Sequence, residues 1–270
     1  MSKPMVSIIT VAYNAAGCIS KTIASVCAQA YTDYEYLFVD GASRDNTVEI
    51  IESYRQDFEK KGIRYRVISE KDKGIYDAMN KGVAHAEGQW VLMMNAGDCF
   101  AHGNVLADIF EESLETADVL YGDVILQDAC CYKLSRAQAL ESITKGMPFC
   151  HQCVFVRQTV AAEYRFDLQY RLAADYDQLL RCYRDGKRFL YIPGPVSVYD
   201  VSGVSERNFL AAQKEQERVR SQQGIRTTGR VTRVYLLRLC AKAARKLMPR
   251  KSRSKARGWY ASAEEARKHG

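Results

Sequence analysis

The chain has 270 residues, 47% hydrophobic and 26% charged, the composition of a globular protein large enough to bury a full core. No apolar run approaches the roughly 20 residues of a membrane-spanning helix, and Met1–Met5 leads straight into a strand, not into a secretory signal. The net charge of +7 is concentrated at one end: residues 226–270 hold 14 Lys and Arg against two Glu, leaving residues 1–225 net acidic and arguing against a nucleic-acid-binding body.

In order, strands alternate with helices. Val6–Val11 reads as a buried strand running into Ala12-Tyr13-Asn14, and Ile19, Ile23, Val26 and Cys27 then recur at helical spacing. Tyr36–Val39 is a second strand ending on Asp40, followed by a turn rich in helix-capping residues, Gly41–Thr47. Val48, Ile51, Tyr54 and Phe58 outline the next helix, and Ile63–Ser69 a third strand. Ile75, Ala78, Met79, Val83 and Ala86 form a regular apolar stripe, with Gly82 between them for close packing. Trp90–Met94 is a run of five apolar residues, the pattern of a central parallel strand, and Asn95-Ala96-Gly97-Asp98 ends it on a carboxylate. Repeated units of this length predict an α/β fold with a parallel sheet and helices on both faces.

In such sheets ligands collect at the carboxyl ends of the strands. Neither Gly-x-Gly-x-x-Gly nor a P-loop follows the first strand. The strand ends offer Thr10, Asn14, Asp40, Asp72 and Asp98 instead. Asp98 on its Gly-containing turn either holds a divalent metal through oxygen or caps the next turn.

Four ordered segments carry a resemblance: residues 7–14 (SIITVAYN), 39–47 (VDGASRDNT), 72–82 (DKGIYDAMNKG) and 95–98 (NAGD). Together they resemble the family 2 glycosyltransferases, over roughly residues 5–205, and the branch that builds bacterial extracellular and surface polysaccharides. The resemblance implies a GT-A fold with a mostly parallel central sheet, a nucleotide-sugar donor (UDP-linked), a divalent metal (Mn²⁺ or Mg²⁺) and inversion at the anomeric carbon. By position, Thr10, Ala12, Tyr13 and Asn14 would line the uridine pocket, Asp40 would contact the base, and Asp72 with Asn80 would lie beside the nucleotide or donor sugar. Asn95 stands where the family's metal motif often has Asp, while Asp98 retains the metal-binding carboxylate. His151, in a His-Gln pair just before a strand, would approach the metal or diphosphate. The division implied is a GT-A domain at 1–205, with a nucleotide half at 1–100 and an acceptor half at 101–205, and a basic helical extension at 206–270.

In the second half, Val105, Ile109 and Phe110 suggest a helix and Val119–Leu126 a strand. Cys150-x-x-Cys153 without a second pair is a weak zinc signal. Tyr176, Leu179, Leu180 and Tyr183 define a helix with Asp175 at its start, the position of an N-cap. The family places its catalytic base at the opening of this helix, which favours Asp175 as base, with Asp177 solvated or capping. Pro193-Gly194-Pro195 reads as a hairpin turn, and residues 201–205 resemble a mobile loop near the donor phosphates. Leu236, Leu239, Cys240, Ala243 and Leu247 share one face of a basic amphipathic helix, suited either to an anionic membrane surface or to docking on the domain.

Nine scattered cysteines and no export signal predict a cytoplasmic protein, with the tail offering a peripheral site on the inner membrane face. The function implied is transfer of a sugar to a glycan or lipid-linked acceptor. The alternatives are a nucleotidyltransferase of the same fold, disfavoured because residues 10–20 lack a Gly-rich basic loop, and an inactive nucleotide-binding scaffold.

Overall fold

The computed structural model describes residues 3–110, 114, 116–127, 131–200 and 209–225. Strands β1 (Val6–Ala12) and β2 (Tyr34–Asp40) are buried at every position. Helix α1 (Ile19–Cys27) links them; α2 (Thr47–Ser53) and α3 (Arg55–Lys60), separated at Tyr54, lead to β3 (Arg64–Ser69). After α4 (Ile75–His85) comes β4 (Trp90–Met93), giving the parallel order β3-β2-β1-β4. The remainder comprises β5 (Cys99–Phe100), α5 (Val105–Phe110), β6 (Val119–Gln127), β7 (Tyr132–Ser135), β8 (Val154–Arg157), α6 (Gln158–Glu163), α7 (Ala174–Arg184), β9 (Phe189–Asp200) and α8 (Phe209–Gln222). The sheet continues β4-β8-β6-β9-β5, with β7 on β6. Only β6 and β9 are parallel in this half, so the nine-stranded sheet is mixed.

Alternation along the strands builds a core on each face. Ile9, Val11, Leu37 and Val39 pack toward α4 and α7, while Val6, Ile8, Tyr36 and Phe38 pack toward α1, α2 and α3. Each fully buried Ile, Leu or Phe contributes about 1.5–3 kcal/mol of transfer free energy. Gly82 lets α4 approach closely: a Cβ there would lie 2.5 Å from Ile9 Cγ2.

The residues at 193–195 do not turn a hairpin. Phe189–Asp200 runs as one strand beside β6, and its register jumps from Gly122↔Ile192 to Asp123↔Pro195. The extra residues form a bulge, which accommodates prolines lacking a ladder N–H. Residues 201–205 and the 236–247 helix lie outside the described residues. Helix α8 packs into the core beside α7: Val219 is fully buried, and Glu215 accepts from the backbone of Arg171 and Leu172.

Topology gathers the site at one edge. The C-terminal ends of β1, β2 and β4 coincide because these strands are parallel. β8 runs opposite to β4, with Leu92 opposite Phe155, so the turn before β8 reaches the same edge. α4 and α7 each begin there as well, since each precedes a strand running toward it.

Candidate active site

On the rim above β1 and β2, several polar groups stitch the framework together. Thr10 is fully buried and its hydroxyl donates to the Met94 carbonyl at 2.7 Å. Asn14, in the left-handed region at φ 49°, receives the Arg44 amide on its Oδ1 at 2.9 Å, while its own N–H donates to Ser43 Oγ. Asp40 is completely buried and accepts from the Ser43 amide, the Ser43 hydroxyl and the Ser69 hydroxyl. The Ala12 carbonyl receives the Gly41 amide. What remains open is exposed Asn14, the Tyr13 ring, 61% exposed, and half-buried Asp72. Asp72 Oδ1 takes the Gly74 amide at 2.8 Å. Its Oδ2 and the Tyr13 ring close over Gly41: a Cβ built there would meet them at 2.5 and 3.3 Å.

At the mouth of β4 the chain turns through Gly97, whose φ of 99° suits glycine and whose amide donates to Thr22 Oγ1 at 2.8 Å. Asp98 is buried to 7% exposure on this turn, and its charge adds to burial in raising the pKa of Cys18 at the start of α1. Asn95 Oδ1 is a buried acceptor without a hydrogen-bond partner, an arrangement that costs about 1–3 kcal/mol unless a ligand supplies the partner. Among the described residues no group of three or more His, Cys, Asp or Glu is placed to hold a metal. A carboxylate and an orphaned amide oxygen fit a hard cation of the Mg²⁺ or Mn²⁺ type that draws its remaining oxygens from water and a ligand diphosphate.

A cavity of about 420 Å³ lies beside this turn, and Asn95, Tyr76, His151 and Asp175 all line it. Asp175 occupies the first turn of α7, where the N-cap is Ala173 and no side chain caps the helix. Capping therefore does not account for Asp175, whose Oδ1 accepts the Tyr76 hydroxyl at 2.9 Å. His151 stands edge-on to Phe166 at 5.9 Å. Burial lowers its pKa, opposed by the negative charge of Asp175, so the imidazole is neutral at neutral pH. The carboxylate acting on His151 is thus Asp175, which groups it with that residue in the cavity. The opposite wall follows β7: Arg136 lines the cavity, and the neighbouring Ala137 amide is fixed by buried Asp123 at 2.9 Å.

One sequence expectation changes. Asp177 is neither solvated nor capping: it is 4% exposed and pairs with Arg181 at 2.8 Å, and burial raises its pKa against that partner's charge. Asn80 spends both ends of its amide on the Phe166 backbone, at 2.8 and 2.9 Å. Cys150 and Cys153 are free thiols bonded to Gln152 and Ser197, and the Cys153 thiol together with burial pushes Cys150 well up. Sequence reading missed Tyr76. The α4 stripe was drawn through Ile75, which is 46% exposed, whereas Tyr76 beside it is buried. The spacing of Tyr76, Met79 and Val83 is the signal that could have found it.

A family model described as Glycosyl transferase family 2 matches residues 7–172. A PGL/p-HBAD biosynthesis glycosyltransferase of Mycobacterium bovis is 33% identical over 186 residues, 68% of this chain and 71% of that protein. Staphylococcus aureus TarS, solved with UDP-GlcNAc, superposes with a TM-score of 0.60 at 19% identity over 79% of this chain. The mannosyltransferase PcManGT of Pyrobaculum calidifontis, solved with GDP-Man and Mn²⁺, gives 0.63 at 16% over 84%. These likenesses show the GT-A fold, and the matches span 66% of each solved chain, just under two thirds.

Proposed function

Because the chain belongs to glycosyl transferase family 2, we propose that it is an inverting glycosyltransferase of polysaccharide biosynthesis. It moves a sugar from a UDP-linked donor to a hydroxyl of a glycan or lipid-linked acceptor. The observation that carries this reading is the shared cavity, in which Asp175 from the start of α7 and the orphaned Asn95 from the mouth of β4 line one space.

The donor nucleoside belongs on the rim. Uracil stacks on the exposed Tyr13 ring over Gly41, and its imide N–H donates to Asp72 Oδ2. The diphosphate then lies toward Asn95 and Asp98. Asp98 and the Asn95 amide oxygen would hold a divalent cation, whose positive charge would offset that of the diphosphate. The sugar projects into the cavity, where the acceptor rests against Met147, Pro148 and Phe149.

In the transfer, the acceptor oxygen attacks the anomeric carbon from the face opposite the diphosphate. The bond from that carbon to the phosphate oxygen breaks, and its electron pair leaves with UDP. The acceptor's proton passes to the Asp175 carboxylate, which later returns it to water. His151, neutral in this setting, places no positive charge beside Asp175 that would weaken its carboxylate as a base. One displacement inverts the centre, and no covalent sugar–enzyme intermediate forms.

The test is a panel of UDP- and GDP-sugars, with and without Mn²⁺, read by thermal shift and by NMR of the product. A ligand at 100 times its Kd should stabilise the protein by about 2.7 kcal/mol. The product's anomeric configuration should be opposite to the donor's; retention, or no response to any donor, contradicts the reading.

A further inference from the structure

Asp175 is gripped from outside its own helix. Tyr76, on the first turn of α4, donates its hydroxyl to Asp175 Oδ1 at 2.9 Å, and the backbone amides of Ala174 and Asp175 act on the same phenol oxygen. The phenol is only 8% exposed, and burial beside the Asp175 charge raises its pKa well above the ordinary tyrosine value, so it remains a neutral donor. Its ring stacks on Phe166 with centroids 5.5 Å apart. Phe166 is itself anchored by Asn80, one turn further along α4, through two backbone hydrogen bonds. Helix α4 therefore fixes the ring that holds Tyr76 as well as Tyr76 itself. Phe166 also meets His151 edge-on.

We propose that Tyr76 is the positioning residue for the transfer step: by occupying Asp175 Oδ1 it leaves Oδ2 as the oxygen that takes the acceptor's proton. An aspartate carboxylate turns about a broad, two-fold χ2 well. A hydrogen bond to one oxygen selects one orientation, and small errors in the placement of a reacting group are costly in rate. The inference rests on reading Asp175 as the base.

The competing account is that Tyr76 only closes the open start of α7, whose N-cap Ala173 offers no side-chain oxygen. A double-mutant cycle separates the two. Asn at position 175 still offers Oδ1 to the phenol, so a purely structural Tyr76 matters equally with Asp or Asn there. A positioning Tyr76 matters only when position 175 is a base.

Full-length wild type, Tyr76→Phe, Asp175→Asn and the double variant are compared by UDP release. The donor is whichever of UDP-glucose, UDP-galactose and UDP-N-acetylglucosamine turns over fastest, with water and p-nitrophenyl glycosides as acceptors. Tyr76→Phe should lower kcat on the order of tenfold, the size of one lost hydrogen bond to a charged group, with donor KM within about twofold. In the Asp175→Asn background the same change should cost less than about twofold. Equal losses in both backgrounds, or an unchanged kcat, overturn the proposal. Near-normal rates in Asp175→Asn alone instead overturn the base assignment. Should Tyr76→Phe lose its native near-UV circular dichroism, Phe166→Leu takes its place in the same cycle, since it removes the stacked ring and keeps the hydroxyl. A kcat loss confined to the Asp175 background again supports the proposal, and equal losses refute it.

Discussion

Gly41→Ala probes the nucleotide rim with a single methyl group. Its Cβ would lie 2.5 Å from Asp72 Oδ2 and 3.3 Å from the Tyr13 ring. The backbone of Gly41 is not in the left-handed region, so alanine brings no conformational strain. Relief is easiest at Asp72, because a carboxylate at the end of a half-exposed side chain moves more readily than packed backbone. Gly41 is buried and moving the carboxylate strains its hydrogen bond from the Gly74 amide, so folding stability should fall by about 0.5–3 kcal/mol. The carboxylate is also displaced from the place assigned to the uracil imide. Loss of one hydrogen bond to a charged group costs about 1.5–3 kcal/mol, equivalent to roughly 10- to 150-fold in Kd. Calorimetric titration with UDP, beside thermal melts of both proteins, reads the two quantities separately. A UDP affinity equal to wild type would refute the placement of the base between Tyr13 and Asp72.

Three further outcomes are expected. Asp98→Ala should fold normally and lose the extra thermal stabilisation that Mn²⁺ adds to UDP; an undiminished Mn²⁺ increment would remove Asp98 from the cation site. Burial holds the His151 pKa below the ordinary histidine value, so below about pH 6.5 the unfolded chain takes up a proton that the folded site resists. Melting temperature should thus fall as pH drops below that value, less steeply in His151→Gln; parallel slopes would contradict the buried, neutral imidazole. The segment 226–270, with 14 basic residues against two Glu, is proposed to seat on an anionic membrane surface. Full-length protein should co-sediment with phosphatidylglycerol vesicles at low salt and be released at high salt, whereas protein lacking the segment should remain free; salt-independent behaviour would favour a docked helix.

The repetitive half of the fold was legible because its physics is local. Strands buried on both faces announce themselves as apolar runs, and Gly82 within the α4 stripe marked the close approach to Ile9 that the structure contains. The second half was harder to read. Antiparallel pairing of β8 with both β4 and β6 depends on long-range partners, and Pro193-Gly194-Pro195 signals a chain deviation equally well for a bulge and for a turn. The site divides in the same way. Position at a strand end identifies a residue near the ligand edge but not the direction of its side chain. Thr10 and Asp40 are turned into the framework, exposed Asn14 spends its amide oxygen on the Arg44 amide, and Tyr13 and Asp72 are left open. Asp177 illustrates the limit on helices: two residues from Asp175, it faces inward because Arg181, one turn later, pairs with it. The Tyr76–Asp175 contact joins residues 99 apart in sequence, and no local pattern reports it.

The most direct test of the account is the Asp175→Asn protein. Asparagine keeps the Oδ1 that receives the Tyr76 hydroxyl but cannot usefully take a proton at neutral pH. With UDP-sugar binding followed by calorimetry and transfer followed by UDP release, the account predicts a melting temperature and donor affinity near wild type and transfer at least about a hundredfold slower. Transfer at near-normal rate by a properly folded Asp175→Asn protein would contradict it.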